Sequence, residues 1–257
     1  MLFRSGSVYA WSVLTRPIMA DMGFTMSQTT WTFSLAILML GLSAGFLGSF
    51  AEKIGPKKSG LLSMLFWVAG LLGTAYALSV HNLTLLYLFY GIIGGIGLGI
   101  GYITPVSTLV KYFPNRPGFA TGLAIMGFGF ASLIAGPLMQ FLVAQIGLVN
   151  NFIILGVIYL VVMGASSLYL KAPQPKQPPR TTKDKSTMYV HNHGMLANDA
   201  MKTWQFGALW WIFFINITCG IGLLSLASPM AQETIGMTPA AAASLVGIIG
   251  IFNGGGR

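Results

Sequence analysis

An arginine ends the run IFNGGGR, residues 251–257, which closes a stretch that is apolar and small from Ala240 onward. A guanidinium stays ionised in any protein environment, and its planar fork matches a carboxylate through two parallel hydrogen bonds. At the centre of an apolar span a charge costs about 2.5–3.5 kcal/mol on insertion scales, so there it must face protein or a water-filled cavity. Near a membrane surface the same side chain is an anchor, and position alone leaves Arg257 open between the two. A second chemical group lies in GSFAEKIGPKK, Gly48 to Lys58, where Glu52 and Lys53 are adjacent and Gly55, Lys57 and Lys58 follow. Such a turn is either a plain basic loop or a conformational latch, with Glu52 meeting a helix N-terminus or a base on a neighbouring bundle. Tyr102 is the third: it follows a glycine run inside an apolar segment, where its hydroxyl needs a partner.

What is missing narrows the chemistry further. The five acids, Asp21, Glu52, Asp184, Asp199 and Glu233, all fall in loops or at segment ends. An integral-membrane enzyme would need paired acids, a metal cluster or a nucleophile near a base, and no apolar segment holds one. His191 and His193 lack Cys or acid partners at ligand spacing, so no metal and no cofactor is expected. The single cysteine, Cys219, sits in an apolar run and reads as helix packing. A fixed cation without a titratable partner favours anion exchange, or coupling through groups in helices beyond this chain.

These residues must be positioned by helices in a bilayer. Only 7% of the residues are charged, 54% are hydrophobic and the mean hydropathy is +0.74, so there is too little polar surface to cover a water-soluble globule. A bilayer core of about 30 Å is crossed by about 20 apolar residues in helical form, and the apolar runs are continuous rather than alternating, which excludes a barrel. Eight segments result, at 2–19, 30–50, 59–79, 84–110, 119–143, 150–170, 204–230 and 239–257. Residues 171–203 between them are proline-rich, polar and basic, and read as a tether. The organisation is thus an all-α integral membrane protein: a six-helix bundle over 1–170, a central loop over 171–203 and two further helices over 204–257.

Charge fixes the sidedness. Lys53, Lys57, Lys58, Lys111, Arg116, Lys171, Lys176, Arg180, Lys183, Lys185 and Lys202 lie in one set of alternate loops, and Arg16 stands alone among bases in the other. Loops 51–58, 111–118 and 171–203 are therefore cytoplasmic, and the net charge of +9 reflects topology rather than a nucleic-acid footprint. The lipid bilayer is the partner that composition implies, with no nucleic acid.

The fourth segment carries YGIIGGIGLGIGY. Gly91, Gly95 and Gly99 repeat at four, as do Gly97 and Gly101, so two adjacent helix faces lack side chains and let neighbouring backbones approach. No strand precedes these glycines, which rules out a dinucleotide site. Pro105 is expected to loosen the helix nearby.

GSFAEKIGPKK resembles the loop signature of the major facilitator superfamily, with Glu52 and Lys53 in the positions of its Asp and Arg. GSVYAWSVL (Gly6 to Leu14), GIGLGIGY, KYFPNRPGFATG and FNGGGR together resemble the oxalate:formate antiporter family within it. That resemblance covers essentially the whole chain. It implies a major facilitator fold of twelve spans in two six-helix bundles, of which this chain reads as a fragment cut at both ends: the N-terminal bundle with a short first helix, plus the first two helices of the second. It also implies a carrier in the cell membrane, monomeric at full length, whose partners are small carboxylate anions: oxalate, formate or pyruvate. In that family the arginine of the eighth span binds a substrate carboxylate near mid-membrane, which assigns the role to Arg257, with Asn253 as an added donor and Gly254 to Gly256 leaving room. Tyr9, Trp11 and Tyr102 match aromatic positions of the anion site, and Phe128 stands where some members have a tyrosine. A proton-coupled carboxylate symporter and a non-transporting receptor on the same fold are the alternatives.

Overall fold

A computed structural model describes residues 7–171 and 197–256, and for residues 128, 197 and 198 the backbone alone. Gly6, Arg257 and most of the central loop, with His191 and His193, lie outside the described residues. A helical turn at residues 7–9 leads into α1 (Trp11–Met22), followed by α2 (Met26–Ile54), α3 (Pro56–Ser79), α4 (Leu83–Tyr112), α5 (Pro117–Ile146), α6 (Leu148–Tyr169), α7 (Trp204–Thr234) and α8 (Pro239–Gly255). Among the described residues, α2 to α7 are long and apolar enough to cross a membrane, while α1 and α8 are shorter, at 12 and 17 residues. Each of the eight expected segments corresponds to one of these helices.

Local chemistry sets the ends. Thr25 and Gln28 form a reciprocal capping box, Gln28 N–H donating to Thr25 Oγ1 at 3.3 Å and Thr25 N–H to Gln28 Oε1 at 2.9 Å, so α2 starts four residues earlier than its apolar run. Gly55, at φ +83°, adopts a conformation open chiefly to glycine, and Pro56 then supplies the first residue of α3, where its missing N–H costs nothing. The Asn82 and Thr238 side chains cap α4 and α8.

Inside the first six helices, α2 packs on α4, and α3 packs on both α4 and α6. The two glycine rows of α4 meet different neighbours. A methyl group at Gly95 would lie 2.8 Å from the Ala36 carbonyl oxygen, and one at Gly99 would lie 2.9 Å from Ala44 N, with Gly91 seated against Leu35, so this row admits α2. A methyl at Gly97 would lie 2.7 Å from Trp67 N of α3, and Gly101 is buried. Hydroxyls stitch the same contact: Ser63 donates to the Gly97 carbonyl at 2.9 Å, and Ser59 and Thr104 share a buried hydrogen bond of 2.6 Å.

The distortion in α4 is not where the proline suggests. Helix continues through Pro105, and the irregular stretch is a π-helical segment over Tyr87–Gly94. It carries Tyr90 into an aromatic cluster with Trp11 (ring centroids 4.3 Å apart), Trp67 (5.8 Å) and Phe152 (6.3 Å), and Trp67 in turn meets Tyr159 edge-on.

By compactness the chain divides into two units. Residues 224–257 group with the first 173, and residues 174–223 form a separate unit. In the latter, the described part of α7 exposes large apolar side chains, including Trp211, Ile212 and Phe213, with Trp210 and Phe214 stacked at 5.2 Å.

Candidate functional site

The seam between α5 and α8 brings backbone against backbone. A methyl at Gly129 would lie 2.7 Å from Gly254 N and 2.8 Å from Gly254 Cα, besides colliding with the Gly250 carbonyl; one at Gly247 would lie 3.0 Å from Leu133 Cα, and one at Gly136 would lie 3.0 Å from the Ala243 carbonyl oxygen. Small residues on both helices therefore run from Gly136 and Ala243, on the face opposite the lysine-rich loops, to Gly129 and Gly254 deeper in. Without a hydrophobic force between helices in lipid, such close packing is what holds two spans together. α1 extends the contact through Val13, which is buried with Ala227 of α7 and Ala243 and Val246 of α8.

At the inner end of this seam stands Asn253, part-buried, whose Oδ1 is buried and lacks a hydrogen-bond partner among the described residues. Tyr9 and Tyr102 are part-buried and engaged in interactions of their own. The Phe128 side chain and Arg257 lie outside the described residues.

Trp11 lies on α1. It is fully buried with its ring against Tyr90, and its Nε1 hydrogen has no partner among the described residues. The π segment of α4 carries Tyr90, whose ring lies tilted at 38° to the indole.

The lysine-rich loop forms an ion pair within the bundle. Glu52 meets Lys111, at the end of α4, with 3.3 Å between Oε1 and Nζ. The base is thus on the same bundle, not on a neighbouring one. Gly48 lets Ile103 of α4 approach, Gly55 makes the turn, and Lys53 and Lys57 are exposed. A small cleft of about 80 Å³ beside the pair is lined by Thr104, Ser107 and Thr108. Both charged groups are half exposed, and exposed pairs contribute about 0–1 kcal/mol. Glu52→Gln is accordingly expected to lower the thermal stability of the detergent-solubilised protein by under about 1 kcal/mol; a larger loss on a melting curve would show a structural role beyond this pair.

Sequence reasoning missed the α5–α8 seam and the ion pair of Arg16. The signal for the seam was present, as small residues at 129, 132 and 136 and at 243, 247, 250 and 254 recur at helical spacing. Arg16 gives no such local sign, because its partners are 216 and 217 residues away.

Apolar helices with glycine-lined contacts and basic turns describe many membrane proteins, and comparison with known proteins decides the family. The family model of the Major Facilitator Superfamily matches residues 1–257. The chain belongs to this superfamily. Among curated relatives, the "Uncharacterized MFS-type transporter YhjX" of Escherichia coli strain K12 is 32% identical over 259 residues, covering 99% of this chain and 61% of that protein. The oxalate:formate antiporter of Oxalobacter formigenes is 26% identical over 259 residues, covering 100% of this chain and 59% of that protein. Human monocarboxylate transporter 14 is 30% identical over 159 residues, 60% of this chain and 30% of that protein. The chain thus spans about six tenths of the length of the first two relatives. Among solved structures, a D-xylose-proton symporter superposes with a TM-score of 0.61 at 13% identity, over 99% of this chain and 65% of that one, which supports the major facilitator fold. Those three relatives of this superfamily member are named as transporters or an antiporter, not as enzymes, and the chain is a multi-pass cell-membrane protein.

Proposed function

We propose that the carrier containing this chain moves small organic anions, monocarboxylates or dicarboxylates such as oxalate, formate or pyruvate, by alternating access and by exchange of one anion for another. In this reading residues 1–170 are one rocking bundle, 171–203 the cytoplasmic connection and 204–257 the start of the second bundle, with the site between the halves near mid-membrane. Arg257 holds the carboxylate, Asn253 adds a hydrogen bond, and Tyr102, Tyr9 and the residue at Phe128 form the aromatic surround. Trp11 supports Tyr90 from within the bundle instead of touching the anion.

The observation that carries the reading is the Asn253 amide. Its buried oxygen has no partner among the described residues, it lies on α8 next to Gly254, which packs on α5, and Arg257 follows four residues later in the sequence. A polar group left unpaired in lipid costs free energy that a bound ligand or water returns. The match to an oxalate:formate antiporter along the whole chain supports the same substrate class, and the absence of acids and histidines from the apolar segments supports exchange over proton coupling.

Flux into proteoliposomes tests it. The full-length carrier is expected to take up labelled oxalate, formate or pyruvate, faster when the vesicles are preloaded with unlabelled anion. No flux of any of these carboxylates, with or without preloading, would reject the proposal.

A further inference from the structure

A straight line of contact runs between α2 and α4. The Tyr87 hydroxyl donates to the Gln28 carbonyl at 2.9 Å. Four residues on, a methyl at Gly91 would lie 3.5 Å from the Thr32 carbonyl oxygen; four further, one at Gly95 would lie 2.8 Å from that of Ala36; and four further again, Gly99 sits against the Leu40 carbonyl. Over these contacts both helices advance by four residues at a time. Ile103 continues the series, its Cδ1 2.9 Å from where a methyl at Gly48 would stand. A regular α-helix cannot keep such a line. With about 3.6 residues per turn, each step of four overshoots by about 40°, so the three steps from Tyr87 to Gly99 would carry the row about 120° around the helix and off α2. The π segment over Tyr87–Gly94 removes the drift. Its i→i+5 bonds put more residues into each turn, so there a step of four falls short of a full turn instead of overshooting it. Shortfall and overshoot offset each other, and the row stays on α2.

Tyr102 lies between the last two contacts. Gly99, three residues before it, and Ile103, next after it, both meet α2, so α4 cannot turn at Tyr102 without breaking one of them. Three residues turn an α-helix by about 300°, which sets the tyrosine about 60° to the side of the α2 line. We infer that this line aims Tyr102: Gly91, Gly95 and Gly99, kept in line by the π segment, are positioning residues that fix the rotation of α4 where it presents the tyrosine. The inference rests on the reading of Tyr102 as part of the anion surround, and deepens it by naming what holds that side chain in place. A methyl at Gly95 would meet the Ala36 carbonyl and Met39 Cβ, which are backbone and the root of a side chain. The helix itself must therefore lift or turn, because no flexible tip is there to give way.

The test has two readouts in the full-length carrier, and the first needs no anion. In a Cys219→Ser background, Gly48→Cys and Ile103→Cys are expected to form a disulfide on mild oxidation and to lose it when Gly95→Ala is added, because a disulfide tolerates only about 3.5–4.5 Å between Cβ atoms. The second readout is oxalate affinity by calorimetry. Tyr102→Phe and Gly95→Ala are each expected to weaken it about two- to tenfold, the range of one neutral hydrogen bond. The double variant should be no weaker than the weaker single one, since both changes act through the same hydroxyl. Gly91→Ala, whose methyl would meet Leu35 Cβ at 2.9 Å, carries the same expectations if Gly95→Ala misfolds. A disulfide that forms equally well with the added methyl, or losses of affinity that multiply independently, would overturn the inference. A disulfide that the methyl abolishes, in a carrier whose parent form binds no oxalate, rejects the carboxylate reading and leaves the aiming of Tyr102 supported.

Discussion

Gly129→Leu is expected to abolish carboxylate flux and to detach α8 from α5. The atoms that the new side chain would strike are the Gly250 carbonyl and the Gly254 backbone, not the tip of a flexible side chain. Overpacking of this kind costs typically about 1–3 kcal/mol and more where backbone must move, and in lipid no hydrophobic gain from burying the leucine offsets it. The neighbouring contacts fail together, since Gly250 sits against Ser132 and Gly254 against Met126 in the same seam. Melting of the solubilised carrier should shift down by several degrees, at about 2–4 °C for each kcal/mol in a chain of this size. Gly118→Ala, at the exposed start of the same helix with nothing within 4 Å of the added carbon, should leave both flux and melting within error of the parent. Flux retained by Gly129→Leu would show that α5 and α8 need not touch.

The positions of the helices follow from the sequence far better than their rotations. The runs 59–79 and 204–230 fall within Pro56–Ser79 and Trp204–Thr234, and the extra residues at the ends are those that capping and Gly-Pro turns control rather than hydropathy. The Thr25-x-x-Gln28 box that extends α2 is a local pattern and was available. The π segment of α4 was not, because a shift from one hydrogen-bond register to the next leaves an unbroken apolar run unchanged in composition.

Side-chain direction was harder to read for a physical reason. A soluble helix shows its buried face by contrast with a polar one, and a helix bathed in lipid has no such contrast. Nothing in the sequence therefore signals that Trp11 packs against Tyr90. Arg16 illustrates the same limit over distance. Its partners lie on α7, and nothing near position 16 announces them. The glycines of α4 were conspicuous because they are dense, whereas those of the α5–α8 seam are diluted among Phe, Leu and Ile and stand out only when the two helices face each other.

The largest functional effect is expected at Arg257. A lysine there keeps the charge but loses the planar fork, so one of the two hydrogen bonds to a carboxylate goes, and bonds to charged groups contribute about 1.5–3 kcal/mol each. Arg257→Lys should thus weaken oxalate binding about tenfold or more, and Arg257→Gln, which removes the charge as well, should abolish it. Oxalate affinity of the purified full-length carrier, measured by calorimetry for the parent and these two variants, asks the question most directly. Saturable binding that falls about tenfold in Arg257→Lys and vanishes in Arg257→Gln is the predicted result; equal affinity in all three would contradict the assignment of the anion site.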